Sequence, residues 1–393
     1  MKLEAALATL ARFLAPWSAD DFLDRGLTGG FRHLPHDGEA PRLGLLGPDP
    51  AATLGAAAHL APGLTFHSAN ATGPAPSLQG VTDVADFQAR IAEFHARNYS
   101  VRFPDLRPLS PALDALCRAL EVLLLTPVTA SAFWSVSGMR APVHYDDHDL
   151  LIVQLAGTKR WYVGSRPSAL FNAWKGVSGN PPDLGPHDIV DVAPGDLMYL
   201  PRGTFHTVDS DAFSVHLALG FTPLTLREAL VAALDHLSDL DRPLRETVGA
   251  RIAWQLEGAG VDPLGPPIAR AAQQLAEAVC GPAFLASALH RRASRTIAAL
   301  APLPRPPNPP ALSLDTWLRH ADLAASHLIG NPEILDFAYP GGHLYIHRGA
   351  EAAVLFVAET PRFRVRDIPG GLPDDVRLAL ATRFVQVGFL AAG

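Results

Sequence analysis

The chain of 393 residues contains few cysteines and no long apolar run. Its two cysteines, Cys117 and Cys280, lie far apart in the sequence, which excludes a disulfide framework and a thiolate zinc site. After the N-terminal residues, the most apolar stretch is 116–133. It is interrupted by two charged residues and by Pro127, so it lacks the ~20 consecutive apolar residues of a membrane span. We therefore predict a cytoplasmic protein without a membrane segment, in a reducing compartment.

Basic residues do not outnumber acidic ones. The chain has 32 Lys and Arg residues against 39 Asp and Glu residues, which gives a net charge of -7 at pH 7. This balance disfavours general binding to nucleic-acid phosphates and favours a basic protein or peptide as partner. Only three of the basic residues are lysine, namely Lys2, Lys159 and Lys175, so a lysine inside a predicted strand is unusual in this chain.

The hydrophobic pattern divides the first half of the chain into helices and then strands. Helical periods occur at residues 84–96 and 110–125. From about residue 130 the pattern changes to short strands separated by turns with glycine and proline, which predicts a β-barrel or double-sheet jelly roll. The predicted strands are Ala132–Val136, Leu150–Leu155, Arg160–Val163, Ile189–Val192, Leu197–Leu200, Thr204–Val208 and Ser214–Phe221.

A second region follows Phe221. Residues 226–237 carry one apolar stripe, which predicts a helix that could form an interface. The proline-rich run at residues 301–310 predicts a stiff, extended linker and therefore a domain boundary. Beyond it we predict a small α+β domain. It should begin with a helix-rich segment at Leu314–Leu328, continue with strand-like pieces at His343–His347 and Ala353–Val357, and end with a helix at Asp374–Phe384.

Three side chains form a candidate metal site. His144 and Asp146 are two residues apart, so on an extended strand both point to the same face. His206 follows 62 residues later in PGDLMYLPRGTFH, whose predicted hairpin brings it alongside. Two histidines and one carboxylate are the facial ligand set of non-haem Fe(II) oxygenases, which leaves positions for a 2-oxo acid and O2. A second pair at this spacing, His320 and Asp322, lies in a helical pattern and is interpreted as an ordinary surface pair.

Lys159 lies in GTKRW, between the two halves of this metal site. If it points into the barrel, its ammonium group would pair with the far carboxylate of 2-oxoglutarate. The alternative is a surface lysine at a hairpin. Ser214 and His216 share one face of the last predicted strand and are candidate co-substrate ligands, with a satisfied core position as the alternative for each.

Four further residues near these motifs have two interpretations each. Arg140 and His148 are candidate substrate contacts or solvated loop residues. Trp134 and Trp161 are interpreted as core residues, because tryptophan in a strand more often fills a core than a site.

The segment Trp134–Gly164, WSVSGMRAPVHYDDHDLLIVQLAGTKRWYVG, together with PGDLMYLPRGTFH and SVHLALGF, resembles the JmjC-type ribosomal oxygenases. The resemblance is strongest to their bacterial branch, which hydroxylates an arginine of a large-subunit ribosomal protein. It implies Fe(II) bound by His144, Asp146 and His206. It also implies 2-oxoglutarate bound by Lys159, since the family places Lys or Arg fifteen residues after its first iron histidine. Outside residues 134–221 only the layout matches.

The resemblance implies an α+β architecture in three parts. These are a JmjC double-stranded β-helix (jelly-roll or cupin) domain at 1–224, a helical dimerisation region at 225–300 and a winged-helix-like domain at 311–393. The predicted function is an Fe(II)- and 2-oxoglutarate-dependent dioxygenase, a homodimer that hydroxylates a protein side chain, with a ribosomal protein as first candidate. Three alternatives stay open: the same chemistry on a small molecule or biosynthetic peptide, a non-catalytic cupin-like binding or regulatory protein, and a zinc-dependent cupin isomerase.

Overall fold

A computed structural model describes residues 2–24, 26–36, 42–136, 138–165, 183–210, 212–249, 262–321 and 323–393. The chain forms two compact units, Met1–Pro223 and Leu224–Gly393. Most of the segment between the predicted strands Arg160–Val163 and Ile189–Val192 lies outside the described residues, and so does Asp322 of the second histidine–aspartate pair. None of the helices in the described ranges combines the length and the apolar character needed to cross a bilayer.

The first unit combines five helices with eleven strands in its described part. The helices are α1 (Lys2–Leu14), α2 (Ala19–Asp24), α3 (Pro50–Gly55), α4 (Val84–Ala96) and α5 (Pro111–Leu124). The strands are β1 (Arg32–Leu34), β2 (Thr65–His67), β3 (Ser100–Phe103), β4 (Thr129–Ser135), β5 (Met139–Arg140), β6 (Asp149–Gly157), β7 (Lys159–Gly164), β8 (His187–Val192), β9 (Leu197–Leu200), β10 (His206–Ser210) and β11 (Ser214–Phe221). All seven strands predicted from the sequence are present, with ends shifted by a few residues.

These strands form two antiparallel sheets, which is the double-stranded β-helix fold. One sheet has the order β1-β9-β6-β11-β4-β3-β2, and the other has the order β5-β10-β7-β8. Ile152 and Ala218 of the larger sheet share one apolar cluster with Trp161 and Val208 of the smaller sheet. The interior between the sheets is therefore built from both, as the jelly-roll prediction requires.

The alternation of side chains in β11 separates the core from the interior. Val215, Leu217 and Leu219 pack into the large apolar core that the larger sheet forms with the helices. His216 and Ala218 point the other way and line the cavity between the sheets. Because successive side chains of a strand point to opposite faces, one face of β11 packs in the core and the other lines the cavity.

Two helices of the first unit begin and end close to where the sequence pattern predicts. The Ser110 side chain accepts a hydrogen bond from Leu113 N (3.3 Å) and caps α5. Asp83 caps α4 in the same way, through Asp86 N at 2.9 Å. The apolar face of α4 is buried, as its helical period predicts.

The second unit differs from the prediction in two places. Its helices are α6 (Leu226–Leu240), α7 (Gly265–Ala278), α8 (Pro282–Ala299), α9 (Glu351–Glu359) and α10 (Asp374–Gln386), and its strands are β12 (Trp317–His320), β13 (His327–Gly330), β14 (Ile334–Tyr339), β15 (Gly342–His347), β16 (Arg362–Arg364) and β17 (Leu390–Ala392). The predicted helix at Leu314–Leu328 is wrong, because β12 and β13 lie there. The predicted strand at Ala353–Val357 is also wrong, because this run lies in α9. Short apolar runs do not distinguish a buried helix from a strand.

The proline-rich run at 301–310 packs against later residues of the second unit, to which it belongs. Leu303 is buried in the core of that unit, and its backbone N–H donates to Pro340 O at 3.4 Å. Gly388 has a φ of +79°, and a Cβ atom there would lie 2.4 Å from Pro304 O. The run is thus in contact with residues near 340 and near 388. The division of the second unit into 225–300 and 311–393 stays a prediction.

A buried ion pair in the first unit joins the short turn before α5, which contains Arg107, to the last turn of that helix, which contains Glu121. Arg107 Nη2 lies 3.2 Å from Glu121 Oε2, and Arg107 Nε lies 2.8 Å from Asp114 Oδ1. Burial raises the pKa of Glu121, and the adjacent guanidinium opposes that rise. Removing the arginine alone would therefore leave a desolvated carboxylate without its partner.

We predict that Arg107→Met lowers the free energy of unfolding by about 3–5 kcal/mol, measured by urea unfolding followed by circular dichroism. The double variant Arg107→Met/Glu121→Leu should recover most of that loss, because it removes both charges. The control is Arg32→Met, which breaks an exposed pair with Asp21 and should cost less than about 1 kcal/mol. Equal loss in the single and double variants would show that the buried charge is not the cause.

Candidate functional site

His144, Asp146 and His206 converge in the first unit. One ligand atom from each lies within 4.8 Å of the other two, and this is the one such group of three found among the described residues. His206 Nε2 lies 3.6 Å from Asp146 Oδ2, and the two imidazole centroids are 4.3 Å apart. The three residues predicted to share a metal are therefore close enough to do so.

Backbone hydrogen bonds bring these ligands together. His144 N donates to His206 O at 3.0 Å and His206 N donates to His144 O at 2.8 Å, so the two residues form one antiparallel bridge. Gly203 N donates to Asp146 O at 2.7 Å. The buried Asp149 accepts hydrogen bonds from Arg202 N (2.8 Å) and from the Tyr199 hydroxyl (3.1 Å), which holds the turn before His206.

The orientation of both imidazoles suits a metal ion. His144 Nδ1 lies 2.8 Å from Pro142 O, and His206 Nδ1 lies 2.9 Å from Thr204 O. A carbonyl can only accept, so each Nδ1 carries a proton and each Nε2 is the ring atom that could bind a metal. Burial lowers the pKa of His206 to about 4, which leaves its ring neutral at pH 7. Two imidazoles that present Nε2 and one carboxylate fit a divalent ion such as Fe(II).

The three ligands line a cavity of about 490 Å³. Both sheets contribute to its wall, and much of the wall is apolar. The other lining residues are Thr65, His67, Ser100, Arg102, Thr129, Ser131, Phe133, Met139, Ala141, Pro142, His148, Leu150, Ile152, Lys159, Trp161, Val208, His216, Ala218 and Gly220. The volume lies within the usual range for small-molecule sites.

Lys159 points into this cavity and is not a surface lysine. Its side chain is 2% exposed, and its Nζ lies 2.8 Å from His216 Nδ1. Burial lowers the pKa of Lys159 to about 7. Burial and the nearby Lys159 charge lower the pKa of His216 well below its ordinary value, so the neutral ring can accept the ammonium proton at Nδ1. The pair places a desolvated cation where an anionic ligand would compensate it.

Aromatic rings fix His216 in place. Its ring stacks on Phe133 with centroids 4.8 Å apart, and Trp161 meets it edge-on at 5.4 Å. Trp161 also stacks on His206 at 5.6 Å. The prediction that Trp161 is a core residue is therefore incomplete, because this ring links the metal ligands to the Lys159–His216 pair.

The remaining candidates occupy different places. Ser214 is buried, but its hydroxyl lies 2.8 Å from that of Ser210, and it is not among the residues that line the cavity. Arg140 is exposed and forms a two-pronged ion pair with Asp209. His148 lines the cavity while its Nδ1 contacts Asp147 at 2.8 Å, so it is both a loop residue and a wall residue. Trp134 packs against the helix-side core, as predicted.

Sequence reasoning did not identify Arg102 and His67, which also line the cavity. The signal for Arg102 is the alternation in β3, where apolar Val101 and Phe103 flank it and are buried in the core. A four-residue strand in a region of weak pattern gives too short a period to recognise. His67 lies in β2, which is shorter still.

Comparison with known proteins places this site in a recognised domain. Residues 109–229 match the JmjC domain family. The chain is 29% identical over 131 residues to ribosomal oxygenase 2 of Mus musculus, which covers 32% of this chain and 28% of that protein. It is 30% identical over 158 residues to the bifunctional lysine-specific demethylase and histidyl-hydroxylase NO66 of Dictyostelium discoideum, which covers 35% of this chain and 30% of that protein. The chain thus spans under a third of either relative.

Solved structures agree with the fold over nearly the whole chain. YcfD, a ribosomal oxygenase from Escherichia coli solved in complex with cobalt and 2-oxoglutarate, has a TM-score of 0.54 at 18% identity. That similarity covers 96% of this chain and 98% of YcfD. An X-ray structure of the same protein has a TM-score of 0.56 at 17% identity and covers 96% of this chain and 98% of that one. At these identities the likeness establishes the JmjC or cupin fold.

The buried charge of Lys159 gives a testable stability prediction. Its pKa falls from 10.5 to about 7 on folding, so the charged form is disfavoured in the folded protein. We expect Lys159→Met to stabilise the metal-free protein by a few kcal/mol, with the full gain below pH 7, where the lysine is charged in both the folded and the unfolded state. The gain should shrink as the pH rises from about 7 to 10.5, because only the unfolded lysine is still protonated there.

Thermal unfolding across this pH range measures the effect. Arg160→Met is the matched control, because Arg160 is the exposed neighbour in β7 and its loss should change the unfolding temperature little at any pH. A Lys159→Met variant that is less stable than the parent at pH 7 would contradict the prediction.

Proposed function

Because residues 109–229 form a JmjC domain, we propose that the protein is an Fe(II)- and 2-oxoglutarate-dependent oxygenase that hydroxylates a side chain of a protein. The observation that carries the proposal is the convergence of His144, Asp146 and His206 in one cavity with a buried lysine. The proteins it is similar to are named as oxygenases or hydroxylases, and one fold neighbour binds cobalt and 2-oxoglutarate.

The three ligand residues would hold Fe(II) through the Nε2 atoms of His144 and His206 and the carboxylate of Asp146. When bound, iron and 2-oxoglutarate together supply the oxidising power to insert one oxygen atom of O2 into a C–H bond, as 2-oxoglutarate becomes succinate and CO2. Pro142 O and Thr204 O fix the ring orientations, so the ligands need little reorganisation when the metal binds.

Lys159 and His216 would hold the co-substrate. The ammonium group of Lys159 is suited to the carboxylate of 2-oxoglutarate that lies away from the metal. His216 Nδ1 accepts a hydrogen bond from Lys159 Nζ and so helps to hold the ammonium group in the cavity wall. Ser214 stays a predicted co-substrate ligand, and to reach the cavity its hydroxyl would have to leave Ser210.

The apolar part of the wall would exclude water from the reaction. Leu150, Ile152, Val208 and Ala218 line the cavity, and Trp161 closes the space between the metal ligands and Lys159. A reactive oxidant in such a space meets the substrate rather than solvent. This is the contribution of the protein to a reaction whose chemistry belongs to its cofactors.

The second part of the proposal concerns the class of protein that is hydroxylated. A basic protein suits the net charge of -7, and a ribosomal protein is the first candidate because two relatives are named as ribosomal oxygenases. We place this activity in the cytoplasm. The proposal is tested against three alternative functions. These are the same chemistry on a small molecule or biosynthetic peptide, a non-catalytic binding role, and a zinc-dependent isomerase.

We also propose that the second unit forms a homodimer. Helix α6 packs against α8 and buries Ala233 and Leu237, whereas three leucines of the same helix, Leu226, Leu230 and Leu234, are 78%, 46% and 43% exposed. Spacing of four residues places these leucines in one row. Ile268 of α7 is also exposed, and none of the described residues of α7 is buried. A second copy of these helices would cover such a row.

We predict that the protein converts 2-oxoglutarate to succinate when supplied with Fe(II) and O2, and that Asp146→Ala abolishes this turnover. Lys159→Met should raise the KM for 2-oxoglutarate by about 10- to 100-fold, the cost of losing a hydrogen bond to a charged group. Arg160→Met is the control and should leave the KM unchanged. Mass spectrometry of ribosomal proteins from a deletion strain should show one protein lacking a hydroxyl group.

The alternatives give different results in the same experiments. Turnover without any change in ribosomal proteins would favour another protein or a small substrate. No succinate from the iron-loaded protein would favour the binding role, and activity with zinc in place of iron would favour the isomerase.

We predict that Leu230→Glu/Leu234→Glu converts a dimer into a monomer, because two buried carboxylates would face each other across the interface. Light scattering after gel filtration measures the mass. The control is Leu355→Glu, an exposed leucine of α9 that should not change the mass. A parent chain that is monomeric at micromolar concentration would overturn the dimer proposal.

A further inference from the structure

Arg102 places a second cation in the cavity. It lies in β3, where Val101 and Phe103 point into the core and Arg102 points to the opposite side. Its Nη2 donates to Ser131 Oγ at 2.9 Å, and its Cζ lies 6.0 Å from the centroid of Phe133. The guanidinium is half-buried, so part of its hydration shell is lost.

The charges that line the cavity do not balance once the proposed cofactors are counted. Asp146 is the one carboxylate among the described lining residues. A doubly charged metal, the doubly negative 2-oxoglutarate, Asp146 and the Lys159 ammonium sum to zero. Arg102 then remains as an uncompensated positive charge. Desolvating a cation without a counter-charge is costly, so a bound substrate would be favoured if it supplied one.

The immediate neighbours of Arg102 do not supply that charge. Ser131 offers a hydroxyl, and Thr65, which pairs with Arg102 across β2 and β3 and also lines the cavity, offers another. Burial lowers the pKa of Arg102 and Asp146 raises it, but Asp146 is also the proposed metal ligand. Hydroxyl groups next to a guanidinium are suited to a carboxylate, which can accept from all of them.

We propose that Arg102 binds a carboxylate of the substrate, so that the side chain that enters the cavity is that of an aspartate or glutamate of a polypeptide. This inference rests on the proposed function and narrows its substrate class. An entering arginine or lysine would face Arg102 with no counter-charge among the described lining residues. The net charge of the whole partner is a separate matter: a basic protein can still present an acidic residue at the modified position.

Peptide binding without turnover tests the proposal. The full-length protein is loaded with Mn(II) and 2-oxoglutarate in the absence of O2, and calorimetry measures its affinity for three short peptides. The peptides are acetylated and amidated and differ only in a central Glu, Gln or Arg. We expect the Glu peptide to bind about tenfold more tightly than the Gln peptide, and the Arg peptide to bind most weakly.

Substitutions at Arg102 should change this order in a defined way. Arg102→Gln should remove the preference for Glu over Gln, and Arg102→Glu should make the Arg peptide the tightest of the three. Arg160→Glu introduces the same charge change on an exposed arginine and should leave the order unchanged. Circular dichroism of each variant checks that it is folded.

Three results would overturn the proposal. The first is a parent protein that binds the Arg peptide at least as tightly as the Glu peptide, and the second is an Arg102→Glu variant that keeps the original order. The third is an Arg102→Gln variant that needs tenfold more 2-oxoglutarate for succinate formation but keeps the original peptide order, since Arg102 would then bind the co-substrate.

Two further measurements separate related possibilities. Free propionate carries the same carboxylate as a glutamate side chain, and if it binds as tightly as the Glu peptide, the substrate is a small acid and the polypeptide part of the proposal fails. Absence of succinate from the iron-loaded parent would overturn the proposed function itself, whatever the peptide order.

Discussion

The reciprocal backbone hydrogen bonds between His144 and His206 are the interaction on which the site depends. They join two residues 62 positions apart into one antiparallel bridge, at 2.8 and 3.0 Å. Each histidine then uses its Nδ1 on a nearby carbonyl, so both free Nε2 atoms are available beside Asp146. The arrangement of the three proposed metal ligands is thus set largely by the backbone of the barrel, and little of it depends on side-chain freedom.

Elsewhere in the same cavity, the buried Lys159 lowers the stability of the folded protein but suits the binding of an anionic ligand. Lys159 is buried without a carboxylate partner among the described residues, and its partner His216 is kept neutral by burial and by the lysine charge. An apolar side chain at position 159 would cost less free energy to bury. Cavities that retain such a cation are those in which an anion is expected to bind, and the half-buried Arg102 is a second cation in the same cavity.

The sequence predicts the parts of this protein that have a clear period or a specific spacing. Seven of the eight strands between residues 129 and 221, the candidate metal triad and the inward orientation of Lys159 can be predicted from the sequence, because alternation and the spacing of two residues fix the face of each side chain, whereas the two-residue strand β5 cannot. Arg102 is not recoverable, since β3 is four residues long and becomes significant only when it pairs with β2 and β4. The predictions for the segments at 314–328 and 353–357 are wrong for a related reason, because packing partners decide whether such short apolar runs form a helix or a strand.

The proline-rich run of the second unit, residues 301–310, has a different structural role from the one that its composition suggests. Prolines in succession indicate a spacer, yet Leu303 fills the core of the unit and Pro304 O leaves no room for a side chain at position 388. Such a segment has a fixed length, because one inserted residue would move the leucine out of its socket. An exchange of modules between proteins of this architecture would therefore have to keep the prolines together with the core that holds Leu303, and a junction near Pro223, between the two compact units, allows that.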